Sequence, residues 1–263
     1  MTPLRVSAVQ YLNTVPLVWG MLHGRQQSKF ELDFTTPARC ADAVRSGNAA
    51  VGIIPAIEAQ RIDDVKVVGG VSISSLDRVK SVILISKKPI EEIQSVAADD
   101  SSRTSVALAT ILLRKYYALR PRVRLSPPDV PAMLRTEDAA LLIGDPALAY
   151  QPARERVYDL AEEWKKFTGL PFVFALWAGP GSDRLAESAP DFLESRDYGL
   201  AHLDEIASEH APRHGLTPAQ VKDYLTQNID YNLGEEHRKA LDLFFRLALE
   251  EGLLRSVKAL DFV

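Results

Sequence analysis

The sequence predicts an α/β protein of two lobes, the second inserted into the first, each built on a mixed, mostly parallel sheet flanked by helices. Three observations lead there. Short apolar runs alternate with helical patterns in two successive cycles, as strand-helix-strand units do. Polar clusters follow the runs in both cycles. A further apolar stretch, Pro171 to Ala178, shows no alternation and so fits a strand covered on both faces, leading back from the second lobe. Residues 1–86 and 176–263 are expected to form the first lobe and 87–175 the second, with a substrate cleft between them.

Arg5 to Val9 opens the chain as a strand. Pro37 to Ser46 has helical spacing and ends at Gly47, and Ala50 to Ile54 returns as a strand, so the two strands pair in parallel through the crossover. Val65 to Ile73 and the alternating Ser81 to Ser86 add two more strands. The second cycle begins near Ile90. Val96 to Ala98 is a short strand ending at Asp99, Val106 to Leu119 a helix, Val123 to Leu125 a strand, Val130 to Thr136 a helix or turn, and Ala139 to Ile143 a buried strand. From about Asp183 the pattern is mostly helical and holds no second large sheet. One helix covers Pro190 to Ala211, another runs from a Thr217-Pro218 cap to Asn228, and a third covers Glu235 to Glu251 with Leu241, Phe244, Phe245 and Ala248 at helical spacing.

Composition narrows the function classes. With 46% hydrophobic and 25% charged residues in 263, the chain has the make-up of an ordinary folded protein large enough for a sizeable core. A net charge of -4 and scattered Lys and Arg give nucleic-acid binding no electrostatic footing. The single cysteine, Cys40, reads as a small core residue of a helix. No run of about 18 uncharged apolar residues offers a membrane span, and Met1 to Arg5 leads into the first strand without a signal-peptide pattern, so a cytoplasmic location is expected. Oligomeric state is not readable from the residues.

In open parallel sheets, ligands gather outside the carboxyl ends of strands, where helix N-termini and backbone amides converge. Four polar clusters fall at such ends, two in each lobe: Tyr11-Leu12-Asn13-Thr14, Pro55-Ala56, Ser101-Ser102-Arg103-Thr104-Ser105 and Gly144-Asp145-Pro146. The hydroxyl-rich third cluster opens a helix and suits a carboxylate, or else it is a plain N-cap with solvated neighbours. Asp145 is open to the same two readings, a helix cap before Pro146 or a group that handles a proton or a substrate hydroxyl. Trp164, Phe167, Phe172, Phe174 and Trp177 read as core and hinge packing, with one or two available for the cleft floor. His210 and His214 are four apart, a zinc-compatible spacing, but Pro212 between them is expected to disrupt the helix, so no metal is assigned. There is no phosphate loop, no Gly-x-Gly-x-x-Gly fingerprint and no Gly-x-Ser-x-Gly elbow.

Tyr11-Leu12-Asn13-Thr14 followed by Pro16-Leu17 resembles the opening signature of the menaquinone-biosynthesis family of the futalosine pathway, in its chorismate dehydratase branch. Further matches are Gly52-Ile53-Ile54-Pro55, Val79-Lys80-Ser81-Val82, Ser102-Arg103-Thr104-Ser105, Leu142-Ile143-Gly144-Asp145, and Asp159 to Trp164 continuing through Thr168-Gly169-Leu170-Pro171 to Phe174. They span most of the chain up to Phe174 and leave the helical C-terminal part unmatched. Ala56 departs from the pattern, since a small hydroxylated residue is expected after Pro55, and a hydrogen bond to substrate is then missing there.

The resemblance implies a type II periplasmic-binding-protein-like fold and the dehydration of chorismate, a dicarboxylate, to 3-[(1-carboxyvinyl)oxy]benzoate, without metal or redox cofactor. It implies Asn13 and Asp145 as catalytic residues, Asn13 bonding the reacting part and Asp145 the leaving hydroxyl. Ser81, Ser102, Thr104 and Ser105 would hold the carboxylates, with Tyr11, Thr14, Pro55, Ala56, Arg103 and Gly144 completing the site. No obvious His or Lys base lies in these clusters, which leaves two candidates for the base, a protein group or the substrate's own enolpyruvyl carboxylate with the protein chiefly positioning it. A non-catalytic small-anion sensor of the same fold, or the sister lyase acting on cyclic dehypoxanthine futalosine, would use similar architecture.

Overall fold

The computed structural model describes residues 2–263. The chain opens with β1 (Leu4–Val9), a short turn of helix at Leu12–Thr14, α1 (Val15–His23), β2 (Phe30–Thr35), α2 (Pro37–Arg45), β3 (Val51–Pro55) and β4 (Val65–Ser75). It then crosses to a second sheet through β5 (Val82–Ser86), β6 (Ser95–Asp99), α3 (Arg103–Ile111), β7 (Arg122–Ser126), α4 (Val130–Thr136), β8 (Ala139–Ile143), α5 (Gly144–Ala149), β9 (Arg156–Asp159) and α6 (Leu160–Thr168). Return is by β10 (Phe172–Pro180), followed by α7 (Asp183–Ala201), α8 (Leu203–His214), α9 (Pro218–Asp223), β11 (Asp230–Leu233), α10 (Glu235–Glu250) and β12 (Asp261–Phe262).

Strand order is β11-β4-β10-β3-β1-β2 in the first sheet, with β12 beside β4, and β7-β6-β8-β5-β9 in the second. The strand-helix-strand units pair in parallel, β1 with β2 and β3, and β6 with β7 and β8. The crossover strands enter from the opposite direction: β10 is antiparallel to β3 and β4, and β5 to β8 and β9. Antiparallel pairing is therefore more prominent than a mostly parallel sheet implies.

The lobe boundaries shift by a few residues. β5, assigned to the first lobe by the 1–86 limit, hydrogen-bonds in the middle of the second sheet, and β10 already belongs to the first sheet at Phe172. The crossovers thus lie just before Val82 and just before Phe172. The helix expected over Pro190–Ala211 is two, parted at His202, whose backbone (φ -115°, ψ 26°) leaves the helical region. Pro212 sits inside α8 and does not end it. The C-terminal part adds β11 and β12 to the first sheet, and β2, β9 and α6 also fall outside the elements read from the residues.

Two features of packing fix the site. Small residues let α7 cross α1 closely: a β-carbon on Gly199 would lie 2.0 Å from the Pro16 carbonyl, and the buried Ser195 hydroxyl donates to Leu17 O (2.8 Å) and accepts from Met21 N (3.1 Å). α1 therefore cannot slide, and the Tyr11–Thr14 turn at its N-terminus is held. At the crossovers, the buried Asp159 carboxylate accepts from the Val79 and Lys80 amides of one strap and from Ala161 and Glu162 at the start of α6, bolting the two together. Trp164 donates to Pro171 O (3.0 Å) and packs edge-on against Phe172, which meets Phe244, so hinge and core are one aromatic cluster.

Candidate active site

The carboxyl ends of β1, β3, β6 and β8 converge on the groove between the lobes, because each lobe places its parallel strands with their C-termini facing the other. They line a groove whose empty space, open solvent included, is about 520 Å³. Tyr11, Asn13 and Pro55 line it from the first lobe, and Ser102, Arg103, Thr104, Ser105 and Gly144 from the second. Ser81 enters from the strap between lobes. Val9, Ile73, Val79, Val82, Ile143 and Phe174 supply an apolar wall; Phe174 is one of the aromatics expected to be available for the cleft floor, whereas no part in the site is expected of the others, because apolar character alone does not separate them from the core.

The third cluster carries more than a cap. Ser102 is the N-cap residue of α3, yet its side chain makes no capping bond, and Ser102, Thr104 and Ser105 are all buried against the cavity. Thr104 Oγ1 accepts from the Ile57 amide across the cleft (3.2 Å), which leaves its own proton to donate. A polar group that approaches here meets hydroxyl donors beside the positive end of a nine-residue helix.

Arg103 behaves differently from the expected anion binder. Its guanidinium bridges the lobes, with Nη2 on both Asp42 oxygens (3.0 and 2.9 Å) and Nη1 on Glu58 Oε2 (3.0 Å). Glu58, 1% exposed, also receives Arg45 and Arg61. Two carboxylates already neutralise Arg103, so it clamps the lobes and leaves anion binding to the hydroxyls. Asp42 and Glu58 lie 61 and 45 residues away and carried no signal of this role.

Asp145 is also displaced from its expected place. It neither caps α5 nor lines the cavity; its Oδ1 accepts from the Leu12 amide of the first lobe (2.9 Å), while His214 Nδ1 stands 3.7 Å from Oδ2. Burial pushes its carboxyl above the usual range, the Leu12 amide and His214 pulling the other way. Thr14 and Ala56 are fully buried outside the lining. Thr14 stands behind Asn13, its hydroxyl 3.5 Å from Asn13 Oδ1, and Ala56 opens the short helical turn that presents the Ile57 amide. Ala56 itself packs into the hydrophobic core cluster.

Gly144 has φ +66°, and Tyr11's ring occupies the space beside it. Its amide donates to Ser81 O (2.8 Å), which ties the strap to the second lobe. Tyr224, from the helical turn that continues α9, donates to Ser81 Oγ (2.8 Å) from a fully buried position, a residue missed because it reads as one more apolar position of a C-terminal helix.

Two lobes joined by two crossover strands and meeting over a largely apolar cavity edged with hydroxyls define a periplasmic-binding-protein-like fold. Solved structures agree: a protein of Archaeoglobus fulgidus superimposes with a TM-score of 0.79 over 96% of this chain and 99% of its own at 20% identity. The periplasmic aliphatic sulphonate binding protein of Escherichia coli does so at 0.67 over 97% and 94%, at 15% identity. By sequence, residues 4–250 match the family described as menaquinone biosynthesis, and the chain belongs to that family. It is 30% identical to a chorismate dehydratase of Thermus thermophilus over 93% of this chain and 94% of the relative, and 26% identical to one of Campylobacter jejuni over 60% of each.

Proposed function

We propose that this chain is a chorismate dehydratase, a carbon-oxygen lyase that converts chorismate to 3-[(1-carboxyvinyl)oxy]benzoate and water. The observation that carries this reading is the convergence of Asn13, Ser81, Ser102, Thr104 and Ser105 on one cavity closed from both lobes, in a chain similar over most of its length to the Thermus dehydratase. Ser102, Thr104 and Ser105 hold one carboxylate at the start of α3, and Ser81, across the cavity, holds the other. Asn13 bonds the C4 hydroxyl, and Tyr11 and Pro55 confine the ring.

Elimination takes the proton from C3 and the hydroxyl from C4, forms the C3–C4 double bond and leaves an aromatic ring. The enolpyruvyl carboxylate, held beside C3, accepts the proton and is placed to pass it to the departing hydroxyl, so water leaves and the charges balance. The protein contributes orientation and exclusion of water. Asp145, by holding Leu12, positions the neighbouring Asn13. No described helix is long and apolar enough to cross a membrane. The chain's likeness to a biosynthetic enzyme supports placing the reaction in the cytoplasm.

Incubation with chorismate, followed by ultraviolet absorbance and product mass, tests the reading. Turnover is expected, and Asn13→Ala is expected to lower it by orders of magnitude with an unchanged melting curve; full activity in that variant removes Asn13 from the mechanism. Chorismate that binds and stays intact would assign the cleft to a non-catalytic sensor.

A further inference from the structure

We propose that Tyr224 is a positioning residue for the dehydration, fixing the direction in which Ser81 donates its hydroxyl proton. The inference rests on the dehydratase reading of the cleft. Ser81 is held on three sides. The amides of Val79 and Lys80 just before it bind Asp159, at 3.2 and 2.6 Å, and Lys80 adopts a left-handed backbone (φ +62°) to make this possible. Its carbonyl accepts from Gly144 N at 2.8 Å. Its Oγ accepts from the Tyr224 phenol at 2.8 Å.

A serine hydroxyl has one proton and two acceptor positions. With Tyr224 donating, one lone pair is occupied and the serine proton needs its own acceptor. Within the protein, the acceptor recorded for it is Val79 O at 3.5 Å, well beyond the 2.5–3.0 Å of a sound O–H to O bond. The cavity is the remaining direction, and Ser81 lines it. Tyr224 thus converts an ambivalent hydroxyl into a donor aimed at a ligand carboxylate, and it also repels an alternative in which Ser81 donates backwards.

Tyr224 suits this task. It is 2% exposed and stands at the start of the helical turn Tyr224–Asn228, which follows α9 and its Thr217–Gln220 capping box. Burial pushes its phenol above the usual range, the bonds to Ser81 and Asn13 pulling the other way and Asp145 and Asp159 adding to the rise, so the phenol keeps its proton. The Asn13 side chain is its second polar neighbour. The helical C-terminal part, which shares no motif with the cleft, therefore reaches Ser81 through the Tyr224 oxygen.

The test is a double-mutant cycle on the full chain with chorismate as substrate. Tyr224→Phe keeps the ring and removes the oxygen; kcat/KM is expected to fall about tenfold or more, the scale of one oriented buried hydrogen bond, with an unchanged melting temperature. In the Ser81→Ala background the same substitution is expected to change kcat/KM by less than about threefold, because Tyr224 acts through that hydroxyl. Wild-type kinetics in Tyr224→Phe, or an equal loss in both backgrounds, overturns the proposal while turnover by the unsubstituted chain still supports the dehydratase reading. No turnover by the unsubstituted chain overturns both.

Discussion

The aromatic ring of Tyr11, from the first lobe, rests directly on the backbone of Gly144, from the second. A β-carbon built on Gly144 would stand 2.5 to 2.7 Å from three of its ring carbons, and φ at Gly144 is +66°. Closure over the cavity thus depends on the missing side chain. Gly144→Ala is expected to cost about 1 kcal/mol in backbone strain and to push Tyr11 away. Steady-state kinetics with chorismate should show kcat/KM reduced about a hundredfold, a larger loss than the strain explains. Unchanged kinetics would mean that the ring need not seat on this backbone.

Asp145 gives a second test, because its charge and its geometry can be separated. Its Oδ1 accepts from the Leu12 amide at 2.9 Å, a bond that an asparagine carbonyl can also accept. Asp145→Asn is expected to retain kcat within about threefold, and Asp145→Ala to lose tenfold or more, since the turn carrying Asn13 is then untethered. Equal losses in the two variants would instead give the carboxylate a direct part in releasing the hydroxyl.

Much of this arrangement was legible in the residues, and the reason is local. Tyr11, Asn13, Ser102 and Ser105 stand at strand ends, and a strand end is recognisable from an apolar run and the polar cluster after it. The alternation of Phe30-Glu31-Leu32-Asp33-Phe34 was a period-two signal for β2, and the exposed residues between its apolar ones mark it as an edge strand. Which sheet a strand joins is not local, and so Val82–Ser86, a clear strand, was placed in the wrong lobe. Arg103 and Tyr224 fail for the same reason. An arginine among four hydroxyls looks like an anion binder until folding brings Asp42 and Glu58 to it, and a tyrosine on an amphipathic helix looks like core until its oxygen meets Ser81.

Arg103 is expected to act on closure and not on substrate charge. Its planar fork binds Asp42 through Nη2 and Glu58 through Nη1, which a lysine ammonium cannot reproduce, whereas Glu58 keeps Arg45 and Arg61 when Arg103 is replaced. Arg103→Lys should therefore fold normally, yet lower kcat/KM roughly tenfold through a less occupied closed state. Small-angle scattering should show a larger radius of gyration for the variant without ligand and the same radius as wild type with product bound. A wild-type radius in both states would remove the clamp from the mechanism.

Asp99 makes the stability of the fold depend on pH. It ends β6, 1% exposed, with Oδ1 accepting from Ser101 N (2.9 Å) and Ser101 Oγ (2.7 Å). Burial raises its carboxyl above the ordinary range, the Ser101 bonds only partly offsetting it and Asp100 adding to the rise. A raised folded pKa means that the native state binds the proton more tightly than the unfolded chain does. The stabilisation is fully present below the unfolded value of about 3.9 and is lost as pH rises through the folded value, after which the buried charge opposes folding. Asp99→Asn keeps an acceptor for Ser101 and removes that charge. Its melting temperature is expected to exceed that of wild type at pH 7, with the difference shrinking steadily as pH falls towards 4. A difference that is constant across this range would show that folding leaves the Asp99 carboxyl unshifted, and one that grows towards acid would show that its carboxylate is ionised and stabilising in the folded protein.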